Sequence, residues 1–169
     1  MSMYFDGAIA CDLKPDTPQQ VLDVLQYMTR KEDYAFDSVP SHSFFTTNEE
    51  WRDFLQIDQE WTCAPGLVGS DFRKTFRYTK NSEDVYRWTL SFRRTMHDDY
   101  EFPDFWWEFL FWIAPYSEST GFVGYYREEF ELNPTLIYFQ SGKVFTSEVT
   151  QSPAGSNGEE WDYSVRWTE

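Results

Sequence analysis

From Met3 to Leu13 the chain alternates residue by residue, with Met3, Phe5, Gly7, Ile9, Cys11 and Leu13 on one side and Tyr4, Asp6, Ala8, Ala10 and Asp12 on the other. A period of two predicts a half-buried strand. The period then changes. Thr17, Pro18 and Gln20 read as a capping box with proline in the first turn, and Val21, Leu22, Val24, Leu25 and Met28 follow at helical spacing on one face. This predicts an amphipathic helix ending near Arg30 and Lys31, whose charges suit a helix C-terminus. A polar connection over 32–43 leads to a second capping box, Thr47 to Glu50. It predicts a shorter helix with Trp51, Phe54 and Leu55 turned inward.

Beyond Phe72 the pattern returns to period two and predicts a run of strands. Phe72, Phe76 and Tyr78 alternate with Arg73, Thr75 and Arg77. Tyr86, Trp88, Leu90 and Phe92 alternate with Arg87, Thr89, Ser91 and Arg93, and Asn81 and Ser82 supply the turn of a hairpin. The segment 105–114 is apolar in both registers and is read as a central strand covered on both sides. Residues 122–127 and 136–149 add further strands, the latter folded at Ser141 and Gly142, and the alternation of Trp161, Tyr163, Val165 and Trp167 adds a last one. The expectation is a single α+β domain over residues 1–169. It consists of a curved antiparallel sheet of about six to eight strands, a meander, with two N-terminal helices packed on one face.

Composition sharpens this picture. Aromatic residues make up 21% of the chain while mean hydropathy is −0.63, so the core is expected to be built from rings rather than from many aliphatic side chains. No run has the length of a membrane span, and the N-terminal residues lack the basic stretch of a secretory signal. A cytoplasmic protein without membrane association is expected. Cys11 and Cys63 lack metal-site spacing and a companion histidine pattern, so neither a zinc site nor a disulfide framework nor any cofactor is expected, and Cys11 reads as a buried free thiol.

The formal charge of −15 disfavours nucleic acid as a partner. The charge is also uneven. Residues 72–94 hold seven bases against two acids, and residues 98–169 hold fourteen acids against three bases. In the hairpin, Arg73, Arg77, Arg87 and Arg93 fall on the face opposite the rings, where guanidinium forks can bind a carboxylate or phosphate ligand. The competing expectation is cross-strand pairing with Glu108, Glu128 or Glu148.

The stretch Asp98, Asp99, Tyr100, Glu101, Phe102 and Asp104 interleaves carboxylates with rings, which suits docking to a basic protein surface, or else a solvated loop whose rings fold back on the sheet. Glu128, Glu129 and Glu131 form a second acidic cluster, and His97 beside Asp98 and Asp99 is a candidate for proton transfer. No nucleophile elbow, phosphate loop or metalloprotease motif occurs, which lowers the expectation of an enzyme. The leading expectation is a non-enzymatic binding protein for a basic protein partner, such as an inhibitor, an immunity-type protein or an assembly factor. The alternative is a small-ligand-binding or enzymatic domain with an arginine-lined anion pocket. A homodimer through the edge strand around Trp161 and Trp167 is a third possibility.

Overall fold

Seven strands form one antiparallel sheet in the order β2-β3-β1-β4-β5-β6-β7 in the computed structural model, which describes residues 3–30, 36–46, 49–57, 62–78, 84–99, 101–151 and 163–168. They are β1 (Tyr4–Asp12), β2 (Gly69–Tyr78), β3 (Asp84–His97), β4 (Gly121–Glu128), β5 (Thr135–Gln140), β6 (Lys143–Gln151) and β7 (Tyr163–Thr168). The fold is α+β with a curved, open sheet, as the alternation predicts. The first strand sits at the centre, between β3 and β4, so the hairpin β2-β3 and the meander β4 to β7 flank it. The hairpin turn at Asn81 and Ser82, and Trp161 before the last strand, lie outside the described residues. The strands β2 and β7 form the two sheet edges.

The inward face of the sheet carries Ile9, Cys11, Phe72, Leu90, Phe92, Met96, Ile137 and Phe139, all buried. Helix α1 (Gln19–Thr29) covers part of it with Val21, Leu22, Val24, Leu25 and Met28, the five residues its periodicity selects. The capping box does not form. Pro18 takes the cap position without a side-chain hydrogen bond, and the Thr17 hydroxyl donates instead to the Lys14 carbonyl at 2.8 Å, closing the preceding turn. The short helix α2 (Ser43–Thr46) falls at the end of the segment read as a connection, and a 3₁₀ turn (Glu49–Asp53) delivers Trp51 to the core, followed by Phe54 and Leu55. Thr47 of the second capping box lies outside the described residues.

The segment read as a central strand is helical. A π-helical turn (Glu101–Trp106) runs into α3 (Trp107–Ile113). Its buried residues Phe105, Trp106, Phe109, Leu110, Trp112 and Ile113 recur at three- and four-residue steps, whereas Phe111 is half exposed. An unbroken apolar run satisfies both periods at once, and packing on the sheet decides between them. Phe44 of α2 is the centre of this layer, with ring contacts to Phe45, Phe54, Phe105, Phe109 and Trp112 at 5.1–6.1 Å. Trp106 lies directly on β1, where a Cβ at Gly7 would stand 2.6 Å from the indole, so the helical segment approaches the sheet only because residue 7 has no side chain.

Candidate functional site

The four hairpin arginines share the outward face of the sheet, as period two requires, and each is paired with a carboxylate. Arg73 Nε donates to Asp71 at 2.8 Å. Arg77 grips Asp12 through Nε and Nη2, both at 2.8 Å, and the Thr89 hydroxyl donates to the same carboxylate at 2.6 Å. Arg87 pairs with Glu118, and Arg93 holds Asp6 through Nε at 2.9 Å and Nη2 at 3.1 Å. The hydrogen bonds from Arg77, ahead of those from Thr89, hold the Asp12 carboxyl below its ordinary range against the opposing effect of burial. The partners come from β1, from β2 itself and from the loop before β4, not from Glu108, Glu128 or Glu148.

The arginines do not converge on one pocket. Arg77 and Arg87 border a hollow of about 280 Å³ together with their own partners Asp12 and Glu118, and Arg93 lines a separate groove across β1. Arg73 borders neither.

In the acidic stretch 98–104 the charges are largely turned to structural use. Glu101 accepts from Arg94 Nη2 at 2.9 Å and from the His97 backbone N–H at 2.7 Å, fixing the start of the π-helical turn. Phe102 folds back and stacks face to face on Phe5, with 3.8 Å between centroids. Asp98 and Asp99 stand 3.1 and 3.2 Å from His97 Nδ1, Asp104 is exposed, and Tyr100 lies outside the described residues.

Phe102 leads to a different site. Beside the π-helical turn that precedes α3, the inward face opens at the corner formed by the ends of β1, β4, β5 and β6. Register sets Tyr126, Thr135 and Glu148 abreast on β4, β5 and β6, and Glu128 abreast of Phe5. A cleft of about 620 Å³ lies here, with Phe5, Phe102 and Tyr126 as its rings and Glu128, Glu131 and Glu148 as its carboxylates; Arg127 is its one cationic lining residue among those described. Tyr126 is braced by Phe102 at 5.0 Å and edge-on by Trp107 at 5.5 Å.

The loop between β4 and β5 forms the rim. Its turn is pinned by the Glu129 N–H on the Tyr4 carbonyl at 2.9 Å and the Glu131 N–H on the Glu128 carbonyl at 3.1 Å. It holds out Phe130 and Leu132, which are 68% and 89% exposed, between Glu129, Glu131 and Asn133. The sequence marks the glutamates of this cluster. The alternation of acid and apolar residues from 129 to 132, just before Asn133-Pro134, is the signal for the exposed side chains. Glu148 and Tyr126 join them only through strand register.

Other candidate groups are arranged for structure. Ser43 Oγ donates directly to Glu108, and His42 Nδ1 accepts from the Phe44 backbone N–H at 3.2 Å, so serine, histidine and carboxylate meet without the serine-to-histidine contact that activates a nucleophile. Burial pushes the Cys11 thiol up to about 12, against the smaller lowering effect of its hydrogen bond with Ser117. Burial also raises Cys63. Neither is a ready thiolate. Among the described residues no three His, Cys, Asp or Glu side chains are placed to hold a metal ion, and no helix is long and apolar enough to cross a membrane.

The architecture is that of a one-sheet α+β protein with an acidic, ring-floored corner. No family model, no curated protein and no solved structure matches the chain.

Proposed function

We propose that the chain is a binding protein that engages a basic protein partner through this acidic corner, in the manner of an inhibitor, an immunity-type protein or an assembly factor. The observation that carries the reading is the exposure of Phe130 and Leu132 amid carboxylates at the rim of a ring-floored cleft. Large exposed apolar side chains cost solubility without a folded-state return, and beside an open cleft they serve as anchors for a partner. The surrounding carboxylates attract and orient a cationic surface, which gives on-rate and selectivity more than raw affinity. The carboxylates of Glu128, Glu131 and Glu148 in the lining of the cleft complement the charge of an inserted lysine or arginine side chain.

The centre of the surface thus moves from the 98–104 stretch to the 126–134 corner, with Phe102 common to both. Affinity capture from native lysate with a double charge reversal, Glu128→Lys with Glu131→Lys, tests the reading. Set beside it is a reversal outside the corner, Asp98→Lys with Asp104→Lys. The corner variant is expected to lose at least about tenfold of any partner recovered by the unmodified chain, and the control to retain it. Recovery should also fall as salt rises from about 0.05 to about 0.5 M, because exposed charges are screened over that range. Equal recovery by the corner variant would overturn the proposal.

A further inference from the structure

The acids on the two faces of the sheet are in different states. On the outward face Asp6, Asp12, Asp71 and Glu118 are each held by an arginine, whereas among the described side chains Glu128, Glu131 and Glu148 of the acidic corner have no basic partner. Arg127, the one base among the described lining residues, is abreast of Asp6 on β1 and so leaves the sheet on the side away from the cleft. The cleft presents carboxylates to a cation, and it presents them beside rings.

Strand register sets the distances between them. Tyr126 on β4, Thr135 on β5 and Glu148 on β6 form one row across the inward face. Strands lie about 4.8 Å apart, so Tyr126 and Glu148 rise from the sheet about 10 Å from each other, with only the short threonine between them. Phe102, 5.0 Å from Tyr126, and Phe5, stacked on Phe102 at 3.8 Å, extend the ring side toward Glu128, which is abreast of Phe5. Trp107 packs edge-on against Tyr126 without lining the cleft, so the tyrosine ring is held from outside it. The result is a gap above Thr135 with a ring on one side and a carboxylate on the other.

This pairing selects a kind of cation. A positive charge above Thr135 is one strand spacing from each wall, within the roughly 6 Å over which an aromatic ring attracts it. Beyond the Tyr126 hydroxyl, the ring side offers no hydrogen-bond acceptor. An unmodified ammonium brings three N–H donors and a guanidinium five, and those turned toward the rings lose water without gaining a partner. N-methylation removes donors, keeps the charge and adds methyl groups that pack on ring carbons. We propose, in an inference that rests on the reading of the corner as the surface for a basic protein, that this gap is a binding site for an N-methylated lysine side chain of that partner. Its methyl groups lie against Tyr126 and Phe102 and its charge is directed toward Glu148.

Fluorescence anisotropy of the full chain with a labelled short peptide alternating lysine and leucine tests this. The central lysine is unmodified, dimethylated, trimethylated, or replaced by a neutral analogue with a tert-butyl group in place of the trimethylammonium. The two methylated peptides are expected to bind at least about fivefold tighter than both the unmodified and the neutral one. Tyr126→Leu should bring the methylated and unmodified peptides to within about twofold of each other. Glu148→Gln, at an exposed position, should weaken the trimethylated peptide at least about fivefold and leave the neutral one unchanged, with near-ultraviolet circular dichroism reporting an intact fold in both variants. Equal affinity for the unmodified and methylated peptides, or for the neutral and methylated ones, would overturn the inference, as would a preference unchanged in whichever variant folds. The reading of the corner would still stand in those cases if binding is lost in Glu128→Lys with Glu131→Lys. Binding of no peptide, or binding unaltered by that double reversal, would overturn both.

Discussion

At the scale of single residues, the outward face is organised by two carboxylates on one strand. Asp6 is buried and held by the Arg93 fork and Tyr125; Asp12 is held by Arg77 and Thr89. Removing one partner of a buried pair strands the other, so Asp6→Ala should cost about 3–5 kcal/mol in denaturant unfolding. Asp12 acts through pH. Its carboxyl is held below the ordinary value of 3.8, so its contribution to stability is present above that value and fades as pH falls through the lower folded-state value. Asp12→Asn should therefore be less stable than the unmodified chain at pH 7, and the gap should close in unfolding curves recorded well below about pH 4. A gap that persisted in acid would point to packing rather than charge. That the four arginines share one face was legible in period two, which depends only on neighbours along the strand. Their partners were not, because Asp6, Asp12 and Glu118 reach them through pairings between strands far apart in sequence.

At the scale of elements, the segment 105–114 shows where pattern reading stops. A strand would put Phe109 and Phe111 on the same face. The helix separates them, burying Phe109 completely and leaving Phe111 half exposed. Phe109→Ala should cost about 3–5 kcal/mol, while Phe111→Ser should stay within about 1 kcal/mol, read from the same urea transitions. Similar losses at both positions would favour the strand. Helix α1 was legible down to its five buried residues because polar positions interrupt its apolar stripe, whereas 105–114 offers only Glu108 and no stripe to read. The central place of β1 was equally hidden, since no local pattern says that the first strand will separate a hairpin from a meander.

At the scale of the molecule, the acidity belongs to particular surfaces. The four outward arginines of the hairpin are each paired with a carboxylate, whereas at the corner proposed to bind a partner, carboxylates are combined with exposed Phe130 and Leu132. The glutamates of that corner were legible as a cluster in the sequence. The cleft behind them was not, because it forms only where strand ends distant in sequence run past the π-helical turn before α3. This corner is the proposed binding surface. Its most direct test is an amide chemical-shift map of the labelled chain titrated with a short peptide alternating lysine and leucine. Shifts are expected to concentrate at 126–134 and at Glu148, with Phe102 included, and to vanish in Glu128→Lys with Glu131→Lys. Shifts centred on Asp98, Asp99 and Asp104, or spread evenly over the acidic surface and unaltered by the double reversal, would contradict it.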